Sequence, residues 1–348
     1  MNLAIALWLS QDAVTNGAIY ALLALALVVV FTVTRVIFVP QGEFISYAAL
    51  SLASLQSGKV PGTVYVLIGG SVLVAALDGF VAVRKKSIRA LPRSLLANIV
   101  LPLVIAAGAA WSASRPDDLL LQVAVTLTIV TPLGPMLYRL AFQPLANASV
   151  LVLLIIAVAV HYVLTGLGLA FFGGEGVRAH TFPDLQFQVG ILTISGQSIG
   201  IVATSLVLIV LLALLFDRTI YGKALRATAS NRVGARLVGI SYEFSGRFSF
   251  ALAALIGAVS GILVAPITTI YYDTGFMISL KGFIGAIIGG MTSYPIAALG
   301  ALVVSFLESY SSFWASAFKE SIVFTLIIPV LLWRSLATHR VEEEEDDL

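Results

Sequence analysis

Charge is scarce in this chain, so the charged residues standing in apolar stretches are the first candidates for chemistry. Charged residues make up 11% of the 348 and hydrophobic residues 59%. Glu43, Asp78, Lys281 and Glu308 all fall in or beside apolar segments, where a charge at the centre of a bilayer costs about 2.5–3.5 kcal/mol. Glu43 follows Gln41 and Gly42 and opens a short segment. It can line a cavity, or it can answer the exposed N–H groups and dipole of a helix start, which is the favoured reading. Lys281 can meet a substrate carboxylate, snorkel to the outer interface or pair with Asp273. Arg84 and Lys85 are placed to neutralise Asp78, whereas Glu308 has no evident partner. His161 reads as a hydrogen-bonded packing residue rather than a proton carrier.

Other chemistry is missing from the sequence. There is no Gly-x-x-x-x-Gly-Lys-Ser/Thr loop, no His-Glu-x-x-His and no Gly-x-Ser-x-Gly. The three histidines, His161, His180 and His339, are far apart, and cysteine is absent. No catalytic residue and no metal ligand set is expected, and a membrane enzyme would need convergent polar groups at one depth. An ion-coupled secondary transporter would need a cluster of acids near the midplane, which no segment supplies.

The stretch from Asp217 to Ile240 is the most unusual in the chain. Its spacing predicts two short helices. The first covers about 223–229 after a turn at Gly222; the second is capped by Ser230 or Asn231, runs to Val238 and stops at Gly239. Arg232 and Arg236 share one face of the second, Val233 and Leu237 another. Such a helix either docks into a partner protein or lies on the bilayer with its basic face toward lipid headgroups. The alanines and Gly234 favour the protein partner.

The elements that position these residues follow from composition. With 29 glycines added, the apolar share far exceeds the ~45–50% of soluble domains, and mean hydropathy is +1.02. Lipid is the solvent for most of the chain, and a net charge of +2 leaves no nucleic-acid surface. About 20 apolar residues span a bilayer. Candidates lie at 12–34, 43–58, 61–83, 95–113, 119–138, 148–172, 197–216, 247–270, 276–291, 294–314 and 320–336. The segments 43–58 and 276–291 are short and contain glycine, as re-entrant or broken helices do. The expected fold is an all-α integral membrane protein of ten or eleven spanning or re-entrant helices. With the N-terminus outside and the C-terminus inside, fifteen Lys/Arg fall in inner loops, and only Lys59, Arg115, Arg178 and Lys319 fall outside. The outer loop 173–196 alternates apolar residues (Phe182, Leu185, Phe187, Val189, Leu192, Ile194) around Gly190, which predicts a small β-hairpin. The acids Glu342 to Asp347 mark 337–348 as a disordered inner tail. Gly257 and Gly261, and the series Gly282, Gly285, Gly289 and Gly290, form small-residue seams that suit either a subunit interface or a contact within the chain.

Gly222-Lys223-Ala224-Leu225-Arg226-Ala227 and Ala235-Arg236-Leu237-Val238-Gly239-Ile240 resemble the coupling segment of branched-chain amino acid ABC importer permeases of the LivH/LivM type. Phe250-Ala251-Leu252, Ala258-Val259-Ser260-Gly261, Leu280-Lys281-Gly282-Phe283 and Ile288-Gly289-Gly290-Met291 follow in that family's order. Asn16-Gly17-Ala18-Ile19-Tyr20 and Gln143-Pro144-Leu145 also fit. The likeness is strong over 217–336, fair over 12–57 and 139–172, and absent over about 78–125, where Arg84–Arg93 and the following span look inserted. Val39-Pro40-Gln41-Gly42-Glu43-Phe44 stands where the family commonly has Asn-Phe-Ala-His-Gly, which leaves the substrate open.

The resemblance implies one permease domain over 1–336 in the bacterial inner membrane, with a cytoplasmic coupling loop at 217–246. It implies import of a branched-chain or other hydrophobic amino acid, or of an amide, urea or an organic acid. It also implies two cytoplasmic ATPase subunits that hold ATP and Mg, an external solute-binding protein, and a second permease that is a homologue or another copy. The coupling residues would be Gly222, Lys223, Ala224, Leu225, Arg226, Ala227, Arg232, Ala235, Arg236, Leu237 and Gly239. The translocation path would involve Gln41, Gly42, Glu43, Lys281, Gly289 and Gly290.

Overall fold

The computed structural model describes residues 3–84, 96–180, 186–189 and 192–333. Most of the basic run after Arg84, the hairpin residues Phe182, Leu185 and Gly190, and the acidic tail lie outside them. Each apolar segment read from the sequence falls on a helix. The helices are α1 (Leu3–Thr34), α2 (Gln41–Gln56), α3 (Thr63–Arg84), α4 (Leu101–Ala113), α5 (Leu119–Val130), α6 (Leu133–Leu137) and α7 (Val150–Phe172). After the hairpin come α8 (Gly196–Arg218), α9 (Ile220–Ser230), α10 (Arg232–Leu237), α11 (Tyr242–Val264), α12 (Thr274–Ile288), α13 (Tyr294–Trp314) and α14 (Lys319–Thr325). Among the described residues, eight helices are long and apolar enough to cross a membrane, with Leu119–Leu145 and Ser316–Trp333 each counted as one. Together with the helical core this makes the chain an all-α integral membrane protein.

Local chemistry sets the helix boundaries. Ser149, Ser195 and Ser241 cap α7, α8 and α11 by accepting from Val152, Ser198 and Phe244 N–H at 3.4, 3.1 and 3.4 Å. Pro132 and Pro135 supply no N–H, so the span 119–145 breaks between α5 and α6 and continues through a π-turn at Tyr138–Phe142. The hairpin pairs β1 (Gln186–Val189) with β2 (Leu192–Ser195) in antiparallel register, Phe187 opposite Ile194. A bridge between Val177 and Ile270 ties the same loop to the one after α11.

The core forms around α1, whose most apolar stretch is 83% buried, against 22% for α3, α7 and α8. It packs on α13, α11, α12 and α8. The outer helices show lipid-facing side chains such as Leu151, Tyr162 and Leu206. Between α1 and α2 the chain turns at Arg35 (φ 62°) and buries Phe38 against Phe44, Phe142 and Phe250, with ring centroids 5.7, 6.0 and 4.7 Å away. This aromatic knot seats the start of α2. Both glycine seams are contacts within the chain. A methyl on Gly257 would stand 2.8 Å from Phe44 Cβ, and one on Gly285 or Gly289 2.7 Å from Ala301 or Ala297 Cβ.

Candidate functional site

α2 and α12 have 16 and 15 residues, roughly 24 and 22 Å of helix against ~30 Å of hydrocarbon. Their N-terminal turns meet. Gly275 N–H donates to Ser46 Oγ at 2.8 Å, and a methyl on Gly42 would stand 2.5 Å from Phe276 Cα and 2.6 Å from Gly275 O. Only a residue without Cβ lets the two backbones approach this closely. The positive ends of two helix dipoles converge at the junction, and Glu43 in the first turn of α2 supplies negative charge there.

Glu43 sits in the first turn as the sequence suggested, but its side chain also reaches across to α7. Glu43 Oε1 lies 2.5 Å from His161 Nδ1, and both residues are buried. The imidazole ring lies against the Phe276 ring, centroids 4.3 Å apart. Gln41 Nε2 donates to the Ala253 carbonyl at 3.0 Å and Tyr47 Oη to the Leu164 carbonyl at 2.6 Å. The start of α2 is therefore pinned to α7, α11 and α12 through polar contacts in an apolar core. The hydrogen-bonded reading of His161 is observed, though sequence gave no means of naming Glu43 as its partner.

Lys281 neither snorkels nor pairs with Asp273. It is 7% exposed, and its Nζ meets Glu308 Oε1 at 2.6 Å and Glu320 Oε1 at 3.3 Å. Tyr20 Oη donates to Glu308 Oε2 at 2.7 Å, and Lys319 Nζ lies 3.8 Å from Glu308 Oε1. Two ammonium groups thus face two carboxylates, joining α1, α12, α13 and α14. Glu308, without an evident partner in the sequence, is the hub. Asp78 takes Arg139, Nε to Oδ1 at 3.0 Å, and Asn98 Nδ2 at 3.4 Å; Lys85, one of the two cations the sequence offered it, lies outside the described residues. Gly289 and Gly290 end α12, where Gly290 has φ 65° and Met291 φ 58°. The six path candidates are thus dispersed: Gln41, Gly42 and Glu43 gather at the α2–α12 junction, Lys281 lies in the ion network, and Gly289 and Gly290 are at the far end of α12. Among the described residues, no group of three His, Cys, Asp or Glu side chains gathers to hold a metal.

The segment after α8 folds as the two helices its pattern predicted, with one correction. α9 begins at Ile220, not Lys223, because Thr219 Oγ1 accepts from Gly222 N–H at 3.0 Å and caps it. Gly222 is therefore a contact glycine inside the helix rather than a turn residue; a methyl there would stand 2.5 Å from Phe216 Cα. Leu225 is buried, Thr228 bonds Ser245 Oγ at 2.9 Å and Arg226 pairs with Asp217 at 3.0 Å. Lys223 is exposed, Ala224 and Ala227 are half-buried and Ala235 is buried. Asn231 caps α10 by accepting from Gly234 N–H at 2.9 Å, and Gly239 follows its end with φ 88°. Val233 and Leu237 are 70% and 83% exposed, Val238 76% and Ile220 83%: an open apolar patch. The adjacent face carries Arg232, whose guanidinium lies 4.9 Å from the Tyr242 ring centroid, and Arg236. Gly222→Ala is expected to lift α9 off α8. Overpacking of about 1–3 kcal/mol should speed trypsin cleavage at Arg218 and Lys223 about tenfold in the detergent-solubilised chain. Unchanged cleavage would show that the close contact is not what seats α9.

Residues 11–332 match the sequence model of a family described as branched-chain amino acid transport system / permease component. The chain is 29% identical over 214 residues to the high-affinity branched-chain amino acid transport system permease protein LivH of Escherichia coli K12, covering 59% of this chain and 69% of that one. It is 26% identical over 295 residues to BraD, the corresponding permease of Pseudomonas aeruginosa, covering 81% and 94%. The L-arabinose transport system permease protein AraH of Escherichia coli K12 is 28% identical over 176 residues, 46% of this chain and 51% of AraH. No solved structure matches the chain.

Proposed function

This chain belongs to the branched-chain amino acid transport permease family, and from that membership we propose that it is one of two membrane subunits of an ATP-driven importer. The other membrane subunit is a homologous permease. Two cytoplasmic ATPase subunits bind ATP and Mg, since this chain has no phosphate-binding loop, and an external binding protein delivers the solute. The assembly sits in the bacterial inner membrane.

The observation that carries this reading is the open apolar patch of Ile220, Val233, Leu237 and Val238 on the inner loop. Four large apolar side chains exposed in water on a capped helix pair mark a protein contact. Because α9 is anchored to α8 and α11 through Gly222, Leu225 and Thr228, a push on the patch is transmitted to spanning helices as a rigid body. The proposed solute is a branched-chain or similar hydrophobic amino acid, supported by the names of the relatives that cover most of the chain.

Mild-detergent purification from native membranes tests the proposal. An ATPase with a phosphate-binding loop is expected to co-purify, and Leu237→Asp is expected to cut its recovery about thirtyfold, the ~2 kcal/mol of a central contact. A chain that purifies alone and transports in liposomes without ATP would refute the importer reading and leave a secondary transporter.

A further inference from the structure

The basic face of α10 is only partly open to water, since Arg232 is half-buried and Arg236 is exposed. It closes a cavity of about 720 Å³ between the loop and the inner ends of α3 and the 119–145 span. One wall is apolar, from Leu77 and Val81 of α3. The facing wall is polar and carries two basic residues, Arg139 and Arg236, one acid, Glu243, and Asn147 and Ser241. Arg232, over the ring of Tyr242 that also lines the cavity, buries Nη2 without a hydrogen-bond acceptor. A buried guanidinium N–H lacking an acceptor is costly, and an anion meets that need.

The charges around the cavity can be counted. Arg139 pairs with Asp78, and Arg247 lies 3.9 Å from Glu243 and also donates to Gln143 Oε1. Arg232 and Arg236 have no carboxylate partner among the described residues, so two positive charges are left over. The cavity opens at the inner membrane surface by the orientation read from the loop charges. A pocket at that depth with one apolar and one cationic wall matches an amphiphile with an anionic head.

We propose that this cavity binds the phosphate headgroup of an anionic phospholipid of the inner leaflet, with its acyl chains along Leu77 and Val81. The headgroup then sits beside the helix whose neighbouring face carries the apolar docking patch. Lipid and partner protein use adjacent faces of α10, and the lipid braces the helix from the membrane side. The assignment rests on the cavity and the orientation, not on the transported solute or on the ATPases.

The test uses the full chain without any ATPase, in nanodiscs or micelles with phosphatidylglycerol or phosphatidylcholine, and reads bound lipid by native mass spectrometry. Phosphatidylglycerol should be retained over phosphatidylcholine, and the preference should shrink as salt is raised. Arg232→Gln and Arg236→Gln should each lower retention about fivefold, and the pair roughly twenty-fivefold, from ~1 kcal/mol per basic residue. Arg236→Lys should keep most of it, which separates loss of charge from loss of fold. Equal retention of the two lipids, a wild-type preference insensitive to salt, or full retention in the Gln variants would overturn the proposal. Displacement of phosphatidylglycerol by millimolar inorganic phosphate, with phosphate itself retained, would overturn the lipid assignment in favour of a soluble anion.

Discussion

Glu43→Leu should be among the most destabilising single substitutions in this chain, at about 3–5 kcal/mol, while Glu43→Leu with His161→Leu should recover most of the loss. The reason is asymmetric. Glu43 is 2% exposed and His161 8%, and His161 Nδ1 meets Glu43 Oε1 across 2.5 Å. Removing the carboxylate leaves a buried imidazole N–H without its partner, in a wall formed partly by the Phe276 ring. Removing both leaves an apolar contact of similar volume, which an interior surrounded by lipid tolerates. Denaturation midpoints of the four species in one detergent measure the cycle. A single-variant loss below about 1 kcal/mol, or a double variant no better than the singles, would mean the pair does not hold α2 to α7.

Lys281→Met should loosen the C-terminal end of the fold rather than the centre. The Lys281 ammonium neutralises Glu308, which Tyr20 holds from α1, and reaches Glu320 on α14. Without it, Glu308 keeps the Tyr20 hydroxyl but, as counter-charge, only Lys319 at 3.8 Å, a longer and more exposed contact. About 3–5 kcal/mol is again at stake for a buried charge left behind. The natural chain has no cysteine, so Val323→Cys, at a position 0% exposed on α14, provides a clean probe. Its labelling rate by a maleimide should rise more than a hundredfold in the Lys281→Met background. Glu308→Gln added to that background should restore slow labelling by removing the stranded charge. Equal rates in all backgrounds would show that α14 is held by packing alone.

Much of this architecture was legible because it is local. A run of apolar residues long enough to span lipid is a helix whatever surrounds it, so all the helical segments could be read from length and composition. The loop after α8 could be read for the same reason: capping residues and a spacing of four declare themselves within one turn. Asn231 and Gly239 mark the ends of α10, and Arg232 and Val233 fall on different faces. What could not be read was partnership at a distance. Glu43 and His161 are 118 residues apart, and Lys281 and Glu308 27. No periodicity connects residues on different helices, and Lys281 had a nearer apparent neighbour in Asp273 than the Glu308 and Glu320 it meets. The one usable hint was that α2, α7 and α12 each carry few ionisable groups, so a buried charge in one has few possible partners in the others. The error at Gly222 has the same origin. Glycine marks a turn in most sequences, and only the packing of α9 on Leu215 and Phe216 shows that it marks a contact.

The placement of α1 bears on how the protein is made. It precedes the other spanning helices in the chain and is the most enclosed of the eight long enough to cross a membrane. Its side chains are apolar enough for lipid to accept it alone, so during synthesis it waits in the bilayer in contact with acyl chains that are absent from its final surroundings. Its principal neighbour α13 begins at Tyr294, 260 residues after Thr34, which at ~5–20 residues per second is a delay of roughly 13–52 s. Throughout that interval the face holding Gly17 and Tyr20 is open to other proteins in the same membrane. Premature pairing there is therefore the characteristic misassembly to expect of this chain, and a membrane chaperone that shields a smooth, glycine-bearing helix would act at this point.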